Sequence, residues 1–193
     1  KRGNKLVKLV RMTTETLSGI PSIVYGLFGY LMFGVAFHWG YSMLSGALTL
    51  AIMVLPSIMR TTEEALKAVP DSYREGSFGL GAGRLRTVFV VILPSAIPGI
   101  LAGVILAIGR ITGETAALIY TAGTVPGIST TKLAGVPVFD MMSSGRTLAI
   151  HMYALLNEGL YMEQAYATAV VLLVMVLLIN ALSAFIAKKF TRS

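Results

Sequence analysis

Long uncharged stretches alternate with short charged ones along most of this chain. Between Glu15 and Arg60 no residue carries a full charge, and the aromatic residues Trp39 and Tyr41 divide that stretch near its middle. A bilayer core needs about 20 apolar residues per helix, and Trp and Tyr favour the membrane interface. The pattern therefore predicts a polytopic, all-α membrane helix bundle. Its four predicted spans cover about residues 16–37, 42–59, 87–109 and 164–187.

A fifth uncharged stretch, between Glu114 and Lys132, is rich in Gly, Thr and Pro. It is too short and too interrupted for a full crossing, so we expect it to be re-entrant or buried against other helices. The segments between the spans become a loop at 60–86 and an external or re-entrant segment at 111–163. One transmembrane domain over 1–193 accounts for the pattern.

The composition argues against a soluble protein and against several kinds of site. Hydrophobic residues make up 55% of the chain and charged residues only 13%, against about 25% charged in soluble domains. With no cysteine and two distant histidines, His38 and His151, no disulfide or metal site is expected. The chain also shows no catalytic residue set, such as Ser/His/Asp or paired carboxylates at membrane depth. A membrane enzyme is thus a distant alternative for this chain, and a purely structural scaffold is another.

The net charge of +7 reflects membrane topology, since the basic residues fall between apolar spans and form no patch for nucleic acid. Thirteen of the 16 Lys and Arg residues lie on one predicted face, before span 1, between spans 2 and 3, and after span 4. The positive-inside rule makes that face, and both ends of the sequence, cytoplasmic. The chain opens at Lys1 on a basic stretch without an initiator Met, so we expect it to be truncated at its N-terminus.

The loop between spans 2 and 3 is rich in small residues and leads into a short sequence motif. Glu75-Gly76-Ser77 is followed by three residues, then Gly81, then nine residues, then Val91-Ile92-Leu93-Pro94. Small residues let a partner's backbone approach closely, so this surface is suited to docking, although a merely solvated basic loop is the alternative. The candidate docking residues are Pro70, Arg74, Glu75, Gly76, Ser77, Gly81, Leu93 and Pro94.

This spacing resembles the coupling motif of binding-protein-dependent ABC importer permeases, whose form is Glu-Ala-Ala, three residues, Gly, nine residues, Ile-x-Leu-Pro. The departures are Gly-Ser for Ala-Ala and Val91 for Ile. The resemblance implies a type I (MetI-like) permease core whose cytoplasmic coupling helices insert into an ATP-binding subunit. No Gly-x-x-x-x-Gly-Lys-Ser/Thr loop occurs in the chain, so no cofactor is expected on it, and Mg-ATP would bind the partner ATPase.

Three further segments look like the phosphate importer permeases. They are SGIPSIVYGLFG (18–29), LPSIMRTTEEALKAVP (55–70) and GRITGETAALIYTAG (109–123), and the last two look more like the PstA type than the paired PstC type. The resemblance implies a subunit of the bacterial inner membrane. Its partners would be an ATP-binding subunit, a paired permease subunit, an extracytoplasmic phosphate-binding protein, phosphate and membrane lipid. A permease for molybdate, sulfate or phosphonate is the near alternative.

Arg110 and Glu114 are anomalous charges at the end of predicted span 3. On a continuous helix they would face the same side, and charges at membrane depth usually face a cavity or each other. A guanidinium matches the oxygen atoms of an oxyanion, Glu114 would restrain Arg110 in an empty path, and Thr112 would add a hydroxyl. The resemblance implies that Arg110 and Glu114 belong to a substrate pathway. A structural ion pair and an arginine that snorkels to the interface are the alternatives.

Overall fold

The computed structural model describes residues 5–126, 130–133 and 136–191, and most of them are helical. Three helical stretches, Met43–Ala68, Arg84–Thr112 and Met162–Lys188, are long and apolar enough to cross a membrane. The number rises to four if the bent pair Lys5–Ser18 and Ser22–Ala36 counts as one span. This helical architecture confirms the predicted fold class. The helices are α1 (Lys5–Ser18), α2 (Ser22–Ala36), α3 (Met43–Ala68), α4 (Asp71–Gly79), α5 (Arg84–Thr112), α6 (Ala116–Thr121), α7 (Leu148–Glu158) and α8 (Met162–Thr191).

The first predicted span, 16–37, is not one straight helix. Helices α1 and α2 are bent by 104° at the residues between them. Pro21 has no backbone N–H, and a residue before proline is disfavoured in helical conformation, so the chain turns at Gly19 and Ile20. Helix α1 therefore does not continue the path of α2. Its Arg11 instead forms an ion pair with Glu63 near the end of α3.

Helix α3 continues to Ala68, well beyond the predicted end of span 2 at 59. The additional residues are mostly good helix formers, and ion pairs one helical turn apart join Arg60 to Glu64 and Glu63 to Lys67. The first part of the predicted loop 60–86 is thus a rigid extension of α3.

The start of α3 is held by the predicted external segment. Ser42 donates its backbone N–H to the Thr121 carbonyl at 3.0 Å, and Met43 donates to the Ser143 carbonyl at 3.0 Å. These N–H groups at a helix start have no partner within the helix, so the external segment satisfies them. That segment also contains a short antiparallel hairpin, β1 (Thr130–Leu133) and β2 (Val136–Phe139), which the sequence analysis did not predict.

Helices α3 and α5 pack closely in one antiparallel register, set by glycines. A Cβ atom added at Gly99 would lie 2.7 Å from the Ala65 Cβ, and four residues later a Cβ at Gly103 would overlap the side chain of Thr61. The register continues past the end of α5. Leu118 is fifteen residues after Gly103, and Gly46 is fifteen residues before Thr61. These two residues are in contact, since a Cβ added at Gly46 would lie 2.9 Å from the Leu118 side chain. Helix α6 therefore extends the path of α5 alongside α3.

The main core lies where α2, α3, α6 and α7 meet. Its central side chains are Ala117 and Leu118 of α6, which pack against α2 and α3, and Ile150 of α7, which is fully buried. Gly26 permits this packing, because a Cβ there would be 2.8 Å from the Ala117 Cα. Helix α6, at the start of the uncharged stretch after Glu114, is therefore buried against other helices.

Replacing Gly103 with Ala should destabilise the bundle, because the new methyl group overlaps Thr61. Overpacking of this kind costs about 1–3 kcal/mol in the free energy of unfolding. We expect a lower midpoint of thermal unfolding for the detergent-purified protein. Gly83→Ala is the matched control, since a Cβ at Gly83 meets nothing within 4 Å and its φ of −72° suits alanine. Equal midpoints for the two variants would contradict the glycine-set register.

Candidate functional site

The candidate pathway residues surround a break between two helices. Helix α5 ends at Thr112, Gly113 follows with a φ of −94°, and α6 begins at Ala116. The expectation that Arg110 and Glu114 share one face of a continuous helix does not hold, because the helix ends between them. They lie instead on the two sides of the break.

Each charge is matched to the helix end beside it. Arg110 is in the last turn of α5, where the helix dipole favours a cation. A Glu114 carboxylate oxygen accepts the Ala117 backbone N–H at 3.3 Å, which supplies an anion to the first turn of α6. Within the described residues, no ion pair joins Arg110 to Glu114. The guanidinium is exposed and has no hydrogen-bond partner in that part of the chain.

Two hydroxyl groups complete the surroundings of Arg110. Thr112 donates its hydroxyl to the Ile108 carbonyl at 2.8 Å, so its oxygen keeps the capacity to accept a hydrogen bond but has no spare proton. Tyr25 is within electrostatic range of Arg110 and donates its hydroxyl to the Leu17 carbonyl at 2.8 Å. Arg110 therefore lies near the bend between α1 and α2.

The helix register places this break near the middle of α3. Gly103 of α5 contacts Thr61 of α3. Arg110 is seven residues after Gly103 and Val54 is seven residues before Thr61, so Arg110 and Val54 lie at the same level of the two antiparallel helices. Val54 is eleven residues from Met43 and fourteen from Ala68, the two ends of α3. Val54 is also six residues from the charged Arg60, or about 9 Å of helix rise, so Arg110 is level with the apolar part of α3.

A broken helix at this level has a recognised chemical use. Irregular backbone at membrane depth is tolerated where it lines a water-filled cavity or is buried in protein, and transporters use discontinuous helices to bind ions near the midplane. An exposed guanidinium offers five N–H donors in a planar fork, which suits a small oxyanion. Among the described residues, no group of three or more His, Asp or Glu side chains could hold a metal ion.

The predicted docking loop contains α4, which is fixed at both ends. The Arg74 guanidinium donates to the Leu66 carbonyl at 2.9 Å and to the Val69 carbonyl at 3.3 Å, and it pairs with Asp71. At the other end, the hydroxyls of Ser77 and Thr87 are 2.9 Å apart. Arg74 and Ser77, which the sequence analysis assigned to docking, therefore tie α4 to α3 and α5.

Gly81 ends α4 through a specific backbone arrangement. It adopts the left-handed conformation with a φ of +78°, its N–H donates to the Phe78 carbonyl at 2.9 Å, and the Ala82 N–H donates to the Ser77 carbonyl at 3.1 Å. This pair of bonds is a Schellman motif, and its left-handed position strongly favours glycine. The motif glycine thus has a conformational role that the spacing alone did not reveal.

The outer side of α4 is exposed and partly apolar. Leu80 is 91% exposed and Leu85 is 76% exposed, while Tyr73 and Phe78 are about half exposed. Glu75 and Gly76 are also exposed, and a Cβ added at Gly76 would meet nothing within 4 Å. We call this region the docking surface; it consists of Tyr73, Glu75, Gly76, Phe78, Leu80, Gly81 and Leu85.

The remaining predicted docking residues lie at the base of this surface. Pro70 precedes the first residue of α4, next to the buried Val69. Val69 packs with Ile92 and Ala96, so Leu93 and Pro94 lie in α5 beside this cluster and not on the exposed side of α4. A widened helical turn over Thr87–Ile92 leads into that proline. The motif therefore brackets the junction of α3, α4 and α5.

Comparison with known proteins gives consistent matches. Residues 1–192 match the family described as "Binding-protein-dependent transport system inner membrane component". The chain is 39% identical over 199 residues to the probable ABC transporter permease protein YqgI of Bacillus subtilis, covering 97% of this chain and 68% of that protein. It is 43% identical over 134 residues to the phosphate transport system permease protein PstA 2 of Mycobacterium bovis, covering 69% of this chain and 44% of that protein.

The phosphate transport system permease protein PstA of Yersinia pestis is 35% identical over 191 residues, covering 97% of this chain and 61% of that protein. The chain thus spans about half of the length of these two phosphate permeases. A solved structure of the MetNI methionine ABC transporter in inward-facing conformations matches with a TM-score of 0.74, covering 97% of this chain and 76% of that one. At 21% identity this match shows the fold alone. The chain belongs to the family of inner membrane permease components of binding-protein-dependent ABC transport systems.

Proposed function

We propose that this chain is a PstA-type subunit of an ATP-driven phosphate importer and that Arg110 binds phosphate during passage. The observation that carries the proposal is the exposed guanidinium at a helix break level with the middle of α3. Two relatives whose names specify phosphate transport support phosphate as the cargo. A bacterial inner membrane is the location that fits such a subunit.

The chemistry of the break suits transient binding of an oxyanion. Moving an arginine to the centre of a membrane costs about 2.5–3.5 kcal/mol on insertion scales, so its retention calls for a compensating role. Phosphate would accept hydrogen bonds from the guanidinium, and a protonated phosphate oxygen could donate to Thr112. The nearby Glu114 carboxylate would weaken the hold on the anion, which favours release.

The docking surface would receive the ATP-binding subunit, which holds Mg-ATP. Exposed apolar side chains such as Leu80 lose water when they enter a groove of a partner, and this burial favours association. Because α4 is tied to α3 by Arg74 and to α5 by Ser77, movement of the partner would be transmitted to both helices. Helix α5 leads directly from that junction to Arg110.

The remaining partners follow from this orientation. The docking surface and both ends of the described chain would face the cytoplasm, and the segment between α6 and α7 would face an extracytoplasmic phosphate-binding protein. A second permease subunit would complete the pathway beside α5 and α8, which expose most of their apolar side chains. An importer for another oxyanion would share this arrangement, and phosphate-dependent ATP hydrolysis by the assembled complex would separate the two.

Replacing Arg110 with Gln should strongly reduce phosphate uptake by the complex in proteoliposomes, because the amide keeps hydrogen bonding but loses the positive charge. Hydrogen bonds to charged groups are worth about 1.5–3 kcal/mol, so we expect at least a tenfold loss. Arg110→Lys is the matched variant and should retain part of the uptake. Co-purification with the ATP-binding subunit should be unchanged for both. Normal uptake by Arg110→Gln would exclude Arg110 from the pathway.

Replacing Gly81 with Val should uncouple ATP hydrolysis from transport, because a β-branched residue is strained at a φ of +78° and the end of α4 would rearrange. Gly81→Asn is the matched control, since asparagine tolerates the left-handed conformation and a Cβ there meets nothing within 4 Å. The measurement is the ratio of phosphate transported to ATP hydrolysed. Equal coupling in the Val and Asn variants would argue against this role for the helix end.

A further inference from the structure

Helix α8 contains an amide side chain within a strongly apolar sequence. No residue from 164 to 187 is charged, and Asn180 lies in the second half of that stretch. Polar side chains within membrane helices usually face the bundle interior or a water-filled cavity, since lipid offers them no hydrogen bonds. Asn180 is half-buried, and it lies on the side of α8 that packs against α5.

The amide of Asn180 occupies space left by a glycine. A Cβ atom added at Gly109 would lie 3.0 Å from the Asn180 Oδ1 atom and 3.4 Å from its Nδ2 atom. Gly109 immediately precedes Arg110, so the amide is beside the helix break and at the same level. Within the described residues, Asn180 has no hydrogen-bond partner, and both its donors and its acceptor remain available.

We infer that Asn180 is a further anion-binding residue of the pathway and donates an amide N–H to the oxyanion that Arg110 attracts. This inference rests on the proposed function. The two groups make different contributions, because the guanidinium supplies charge whereas the amide supplies a directed donor without charge. A neutral donor orients a tetrahedral anion and adds little long-range attraction, which is compatible with rapid release.

Thr168, another polar residue of α8, differs from Asn180 because its side chain has a hydrogen-bond partner. Thr168 donates its hydroxyl to the Gln164 carbonyl of its own helix at 2.8 Å. Its polar group is therefore satisfied without a ligand. Thr168 provides a matched position on the same helix at which a hydroxyl can be removed without affecting an anion.

The test uses the complete transport complex in proteoliposomes, with radiolabelled inorganic phosphate as the probe. Asn180→Leu keeps a similar volume but removes the amide, and we expect uptake to fall about tenfold, the effect of one lost hydrogen bond to a charged group. Asn180→Asp keeps the shape but replaces the donors with a carboxylate, so it should transport less than Asn180→Leu. Gly109→Ala should also reduce uptake, because the new methyl group displaces the amide.

Two controls separate anion binding from packing. Thr168→Val should transport phosphate like the unaltered complex, and all variants should co-purify with the ATP-binding subunit. Normal uptake by Asn180→Leu, together with the loss expected for Arg110→Gln, would overturn the inference while leaving the proposed function intact. A loss in Asn180→Leu that is matched by failed assembly, or that is equal in Asn180→Asp, would assign Asn180 to packing. Normal uptake by Arg110→Gln would instead overturn the proposed function itself.

Discussion

The close antiparallel contact between α3 and the chain from α5 to α6 determines most of this architecture. Small residues allow this approach, with Gly99 and Gly103 against Ala65 and Thr61, and Gly46 against Leu118. In a membrane, helices associate through such packing, because lipid is as apolar as their side chains. Since the register continues across the break, α6 remains beside α3 and places the break level with the middle of α3.

The same contact connects the junction of α3, α4 and α5 to the helix break beside Arg110. At one end, Val69 and Ile92 pack where α3, α4 and α5 meet, and Arg74 fixes α4 to the last carbonyl groups of α3. At the other end, α5 stops beside Arg110. A displacement of α4 can therefore reach the break through a single helix packed along its neighbour. The structure describes one arrangement of these elements, and the proposed transport requires a second, toward which a docked partner would bias the chain.

Several of these features follow from the sequence because each depends on local chemistry. Charge-free stretches locate the apolar helices, and the spacing from Glu75 through Gly81 to Pro94 locates the segment for which docking is proposed. The helix limits did not follow in the same way. Tertiary packing buries α6, whose six residues are too few to show a periodicity, and the bend before α2 depends on how Pro21 is accommodated. Asn180 packs against Gly109 of α5, where the absence of a side chain leaves room for the amide. No pattern within α8 can indicate that contact.

The central claim is that the helix break lies near the bilayer centre and contacts water. The absence of native cysteine permits single nitroxide labels at Gly113, in the break, and at Ile52, an exposed α3 position at the same level. Electron paramagnetic resonance with oxygen and a water-soluble nickel chelate would measure depth and water access in lipid bilayers. The label at Ile52 should lie near the bilayer centre, and the label at Gly113 should collide readily with nickel. A label at Ile52 close to an interface, or one at Gly113 shielded from nickel, would contradict the claim.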